Sequence, residues 1–318
     1  MVGSWVTSVQ LDDDDDSDDE TTQGTARPSP IGRASLLAVA LSYLALPAPH
    51  FILPAALHPK FLFTTSLPLA AALLRSTRPG HASAGLFLVE NTVTDLAADV
   101  LNEQDDKTAR FAEGVQAVIF HMVHSPNEDE RQRAHRAMGQ VLARITPPTR
   151  FVTVKALLDC PYPSVVSLLL HFVKEEVAKS WPSASQDSLD GGVMTNAPFL
   201  GAALQVVTPF LKPNSKTLLT NADVTLAALN LVRYLLLRDR AKNLTGIWSE
   251  EYCARLRADS IEPVLHLLTT DTPAAASTGS HAAPEMQRQE QISQSQAWML
   301  EDVTTRVREI LDEGRHGR

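Results

Sequence analysis

The stretch Val224–Leu237, reading VTLAALNLVRYLLL, is apolar almost all the way round a helix. Such a helix has no side to offer to bulk solvent as a whole, so it must be packed between neighbours on several sides. This is the strongest constraint in the chain, because it calls for other helices around it. The character changes sharply after Leu237. Arg238, Arg240 and Lys242 cluster at the helix end, where cations complement the helix dipole, and Asn243–Gly246 reads as the turn that follows.

Neighbouring helices are legible in the middle of the chain. Phe111, Val115, Val118, Ile119 and Met122 share one face at 3.6-residue spacing. A helix start is expected next, with Ser125 as the cap, Pro126 at the first helical position and Glu128 completing a capping box. Ala134, Ala137, Met138, Val141, Leu142 and Ile145 then form an apolar stripe that Pro147-Pro148 bring to a stop. A second pair follows. Phe151–Asp159 carries Val154, Leu157 and Leu158, the run Cys160–Pro163 breaks it, and Val166, Leu169, Leu170, Val173 and Val177 line the next helix.

Two such pairs in succession repeat at roughly 35 to 40 residues, close to the HEAT and armadillo class. Further helices are expected over 33–46, 66–75, 84–102, 197–211, 221–239, 249–268 and 286–312, and no stretch alternates well enough to be a strand. The expected class is all-α, a HEAT/armadillo-like helical repeat of the α-solenoid kind. By composition, residues 1–30 form a disordered acidic segment, 31–270 the repeats, 271–284 a flexible linker, 285–312 a C-terminal helix packing on the repeats and 313–318 a tail. A further loop is expected over Ser183–Asn196, which contains Gly191-Gly192.

The formal charge of −9 comes almost wholly from Asp12–Glu20, which holds eight acids and no base. Without it 29 acids face 28 bases, so there is no broad basic excess of the kind that binds nucleic-acid phosphates. Cys160 and Cys253 lie far apart and form no CxxC pair, which suits a reducing compartment, cytoplasmic or nuclear. The most apolar run, Leu36–Leu46, ends at Pro47 and is too short to span a bilayer, which takes about 20 residues, so it reads as a core helix. The N-terminus has neither the basic nor the apolar region of a signal peptide, and the sequon at Asn243 is expected to stay unused.

His121 and His124 stand three apart on a helix, as zinc ligands can, but lack a HExxH glutamate or an obvious third ligand. There is no GxSxG motif and no glycine-rich phosphate loop, so neither catalysis, a metal nor a cofactor is expected. Cys160 sits beside Asp159, whose charge raises a thiol pKa; both cysteines read as structural, not as redox centres. The acidic run reads as a solvated tail. Trp248 reads as a residue closing an inter-helix gap, with an anchor on a partner as the alternative.

The stretch LAALNLVRYLLLRDRAKNLTGIW, residues 226–248, resembles the signature of the glomulin family, which includes animal glomulin, fungal Yap-binding proteins and a plant relative acting in lateral-root formation. Arg150–Val166 with Phe172–Val177 behind it is similar to a helix-turn-helix of that family. Pro284–Gln287 leading into Asp302–Ile310 resembles its final helix. The matching order extends over 110–312, with 31–75 as an earlier repeat of weaker resemblance. Family members are typically longer, which implies that an N-terminal helical part is missing here. The resemblance implies an adaptor and not an enzyme. Animal glomulin binds the RING-box subunit of cullin-RING ubiquitin ligases through its C-terminal repeats and blocks recruitment of the ubiquitin-conjugating enzyme. Fungal Yap-binding relatives assist a bZIP transcription factor in the oxidative stress response. On either reading the partner is a protein, not a nucleic acid or a membrane. The expected contact residues are the polar or aromatic positions of the signature: Asn230, Arg233, Arg238, Asp239, Asn243 and Trp248.

Overall fold

Every element of regular structure is a helix in the computed structural model of this chain, which describes residues 58–78, 80–182, 198–212, 218–271 and 284–316. The expected acidic segment, the helix over 33–46, the loop over Ser183–Asn196 and most of the 271–284 linker lie outside the described residues. The chain forms two compact units that meet in sequence between Ala156 and Leu157.

The first unit holds α1 (Pro59–Leu74), α2 (His81–Thr94), α3 (Glu103–Ala109), α4 (Phe111–His124), α5 (Glu128–Arg144) and nearly all of α6 (Pro147–Leu157). Its core is built from Phe63, Leu67, Leu86, Phe111, Ile119, Leu142 and Ile145, all essentially inaccessible to solvent. Phe63 and Phe111 stack obliquely with ring centroids 6.5 Å apart. Gly114 lets α4 approach α1 closely, because a Cβ there would come within 2.6 Å of Leu67.

Two local expectations are corrected here. The helix expected over 84–102 ends early: the chain leaves α2 at Thr94, 95–102 are not helical, and Asp99 takes a left-handed conformation with φ 54°. Backbone pairing then competes with the helix and wins. The N–H groups of Val100 and Leu101 both donate to the Arg144 carbonyl at 2.9 Å, and Thr146 N–H donates to the Leu101 carbonyl at 2.7 Å. Leu101 is fully buried, and Asn102 opens α3 with a capping box closed by Asp105.

The second correction is the cap of α5. Ser125 ends α4, its N–H donating to the His121 carbonyl at 2.8 Å, and Asn127 caps α5 by accepting from Asp129 N–H at 2.9 Å. The Ser125 hydroxyl is turned instead toward Glu130, donating to Oε2 at 2.9 Å. Glu130 collects Ser83, Ser125 and His121 from α2, the α4–α5 turn and α4. Beside it Arg133 grips Glu90 through both oxygens, at 3.1 and 2.5 Å. His121, one of the two spaced histidines, is buried against Glu130 at 3.1 Å, while His124 stacks on the Phe120 ring at 4.5 Å.

The second unit holds α7 (Pro163–Lys179), α8 (Pro198–Val207) running into a 3-10 turn (Thr208–Leu211), α9 (Ala222–Arg238), α10 (Glu250–Leu256), α11 (Glu262–Asp271) and α12 (Pro284–His316). The anticipated break at Cys160–Pro163 is where α7 begins, with Pro163 at its first turn. Successive starts at Phe111 and Pro147, and at Glu128 and Pro163, keep the repeat spacing read from the sequence. One π-turn, Arg257–Ile261, joins α10 to α11 without a break and aims Arg257 at Asp312, 2.6 Å away.

The apolar stretch Val224–Leu237 lies in α9, and it is packed as its composition requires. Ten of its residues are buried, among them Leu231, Val232, Leu235 and Leu236, with α7, α8 and α12 against it. α12 runs parallel to α9, since Gln296 meets Asp223 at one end and Arg240 meets Glu313 at the other. Leu300, Val303, Thr304, Val307 and Leu311 supply the buried stripe of α12 at helical spacing. Thr304, fully buried, is satisfied within its own helix by the Leu300 carbonyl at 2.6 Å.

Candidate protein-binding surface

The end of α9 and the loop after it form a cassette whose polar groups satisfy one another. Asp239, 1% exposed, accepts from Leu244 N–H at 2.6 Å and from both Thr245 N–H and its hydroxyl at 2.7 Å. Asn243 takes φ 48° and Gly246 φ 76°, conformations that asparagine and glycine tolerate best. The Asn243 side chain accepts from Trp248 N–H at 2.9 Å. Trp248 folds back on the helix, its indole N–H donating to the Leu236 carbonyl at 3.1 Å. That carbonyl lies in the last turn of α9, where acceptors have no helical partner. Ser249 then caps α10 through Tyr252 N–H at 3.3 Å, and the Cys253 thiol donates to the Ile247 carbonyl at 3.2 Å.

The six expected contact residues therefore divide by position. Asp239 and Trp248 are buried, and Asn243 is half-buried within the loop, so all three shape the cassette. Trp248 is 5% exposed and lies against Gly314 of α12, where a Cβ would overlap its ring; it fills an inter-helix gap and is not a solvent-facing anchor. Asn230, Arg233 and Arg238 lie instead on the solvent stripe of α9, together with Tyr234 and Leu237, at spacings of three and four residues. Arg238 and Leu237 are exposed, and Arg233, half-buried, keeps a buried Nε with no hydrogen-bond partner.

Sequence reasoning missed what flanks this stripe. Lys174 of α7 places its Nζ 5.9 Å from the centre of the Tyr234 ring. Tyr234 meets Trp181 edge to face at 6.1 Å, and Arg238 lies 6.0 Å from the centre of the Trp181 ring. The i, i+4 spacing of Tyr234 and Arg238 was legible. Their pairing with residues more than fifty positions earlier was not.

Burial, with a smaller contribution from the Asp159 charge, pushes the Cys160 thiol up, opposite to what a nucleophile needs. Among the described residues no group of three His, Cys, Asp or Glu side chains is placed to hold a metal ion, and no helix is long and apolar enough to cross a membrane.

The chain is similar to several proteins of one group. Its residues 47–268 match the model of a family described as the uncharacterised protein family YAP/Alf4/glomulin. Glomulin of Homo sapiens is 25% identical over 201 residues, which are 62% of this chain and 33% of that protein. The Arabidopsis thaliana protein named Aberrant root formation protein 4 is 30% identical over 158 residues, 48% of this chain and 24% of that protein. Glomulin of Mus musculus is 23% identical over 200 residues, again 62% and 33%. The matched stretch thus spans a third or less of the length of these relatives. Because the family's model covers well over half of the sequence, and with it the whole of α9 and its cassette, the chain belongs to the YAP/Alf4/glomulin family.

Proposed function

We propose that this chain is a non-catalytic helical adaptor that binds the RING-box subunit of cullin-RING ubiquitin ligases and keeps the ubiquitin-conjugating enzyme from docking, acting in the cytoplasm and the nucleus. Membership of a family that includes glomulin supports the adaptor reading. The single structural observation that carries it is the division of labour in the signature stretch. A loop whose polar groups bond one another holds the end of α9 in one position, and that end presents Arg238 and Leu237 to solvent, with the half-buried Arg233 and Asn230 one and two turns earlier on the same stripe. Rigid, partly apolar surfaces with arginine are what protein interfaces use as anchors, since little entropy is lost on docking.

The proposed contacts are therefore Asn230, Arg233 and Arg238, with Asp239, Asn243 and Trp248 acting through the shape of the loop. The test is reconstituted ubiquitin-chain formation by a RING-box–cullin complex with increasing amounts of this chain. The expected result is inhibition and co-elution with the complex, both weakened in R233A/R238A. Unchanged chain formation together with no co-elution would refute the reading.

The family description also names YAP, which favours a second reading as an adaptor for a bZIP transcription factor under oxidative stress. A deletion strain of the source organism is then peroxide-sensitive, and normal survival counts against it.

A further inference from the structure

Four side chains of the second unit follow one another as cation, ring, ring and cation: Lys174 of α7, Tyr234 of α9, Trp181 just beyond the end of α7, and Arg238 at the end of α9. Each is at least partly open to solvent, and Arg233, the residue before Tyr234 in α9, is half-buried with a buried, unpartnered Nε. Among the described residues Lys174, Arg233 and Arg238 have no carboxylate partner. Of the acids nearby in sequence, Glu176 is engaged with Lys179 at 2.8 Å and Asp239 within the loop, while Glu175, beside Lys174, is exposed. Lys174 and Arg238, each held over an aromatic ring, together with Arg233 outnumber the one exposed carboxylate beside them, Glu175, so the surface carries a local positive excess.

We infer that this ladder is a docking site for a short acidic peptide segment of a partner protein, whose carboxylates meet Lys174, Arg233 and Arg238 and whose apolar side chain packs on Trp181 and Tyr234. A guanidinium such as Arg238 offers the planar fork that binds a carboxylate through two hydrogen bonds, while its face stays on the indole. Charge complementarity selects the occupant. Outside the Asp12–Glu20 run acids and bases are nearly equal in number, so the positive charge is local, sized for a peptide and not for the extended backbone of a nucleic acid. The inference shares Arg233 and Arg238 with the RING-box reading but rests on the ladder alone, and it holds for whichever partner carries the acidic segment.

The test is fluorescence anisotropy of a fluorescein-labelled oligoglutamate peptide with one central phenylalanine, titrated with the whole chain at low salt. A single-stranded oligothymidine of equal charge serves as the competing probe, and the assay contains no ligase component. Binding is expected to weaken about tenfold or more in K174Q/R238Q and on raising salt to physiological strength. W181L is expected to weaken it as well, while circular dichroism confirms an unchanged helical fold for each variant. Absence of peptide binding by the unaltered chain at low salt, equal binding by the variants, or tighter binding of the oligothymidine would each overturn the inference.

Discussion

Replacing Asp239 with alanine removes the acceptor around which the loop after α9 is wound. The carboxylate takes three hydrogen bonds, two from backbone N–H groups of Leu244 and Thr245 and one from the Thr245 hydroxyl. The hydroxyl can turn toward water, so its loss is cheap. The two backbone donors cannot leave the loop, and each orphaned N–H costs about 1–3 kcal/mol. With the charge-assisted character of the bonds included, the expected loss is about 3–5 kcal/mol, a large part of a typical stability of about 5–15 kcal/mol. For a unit of this size it corresponds to a fall in melting temperature of about 10 °C. Asp239→Asn keeps one carbonyl oxygen but turns an NH2 toward a donor, and its loss is expected to be about half as large. The assay is urea and thermal unfolding of the whole chain, followed by circular dichroism and by tryptophan fluorescence, since Trp248 hangs on the same loop through Asn243. A loss below about 1 kcal/mol for Asp239→Ala would refute the reasoning, because the loop would then be held by something other than this carboxylate.

Other consequences are open to measurement. Gly314→Ala normally gains about 0.5–1 kcal/mol in a helix, but here the added methyl overlaps the Trp248 ring, so a net destabilisation of about 1–2 kcal/mol is expected in urea unfolding. The Glu130 carboxyl is held below the usual carboxylate range, chiefly by the Ser83 hydroxyl, with Ser125 and His121 adding to it and burial opposing. A pKa lowered in the fold means that the unfolded chain binds the proton more tightly. This contribution to stability is therefore present above the ordinary carboxylate range and is lost as the pH falls through the folded value. The urea midpoint of S83A is expected to fall less steeply on acidification than that of the unaltered chain, and parallel curves would speak against the assignment. Cys160, its thiol pushed up by burial, is expected to resist N-ethylmaleimide in the folded chain at neutral pH and to react on unfolding; rapid labelling of the folded chain would contradict it.

The helical class was written in the spacing of apolar residues, and that spacing survives folding because burial follows the same period. The stripe from Ala134 to Ile145 is the buried face of α5, and the nearly all-apolar run from Val224 is the helix with neighbours on three fronts. Single helices failed where local signals competed with distant ones. Ser125 had the residue type of a cap, but its hydroxyl found Glu130, and the break after Thr94 depended on carbonyls of α5 some fifty residues away. Ser83, Glu90, Glu130 and Arg133 gave no sign in the sequence that they meet.

The candidate surface divides in the same way. Amino-acid order alone marked the Val224–Trp248 stretch as distinctive and placed a turn at Asn243–Gly246, because a left-handed turn favours asparagine and glycine whatever surrounds it. Only the tertiary structure decided that Asp239 and Trp248 face inward and that Arg238 faces out to stack on Trp181. Side-chain direction at a helix end depends on which helices are packed against it, and the parallel docking of α12, with Gly314 under the indole, is a contact between residues 66 positions apart. No local pattern encodes a contact of that range; it is settled only when the apolar stripes of both helices are buried together.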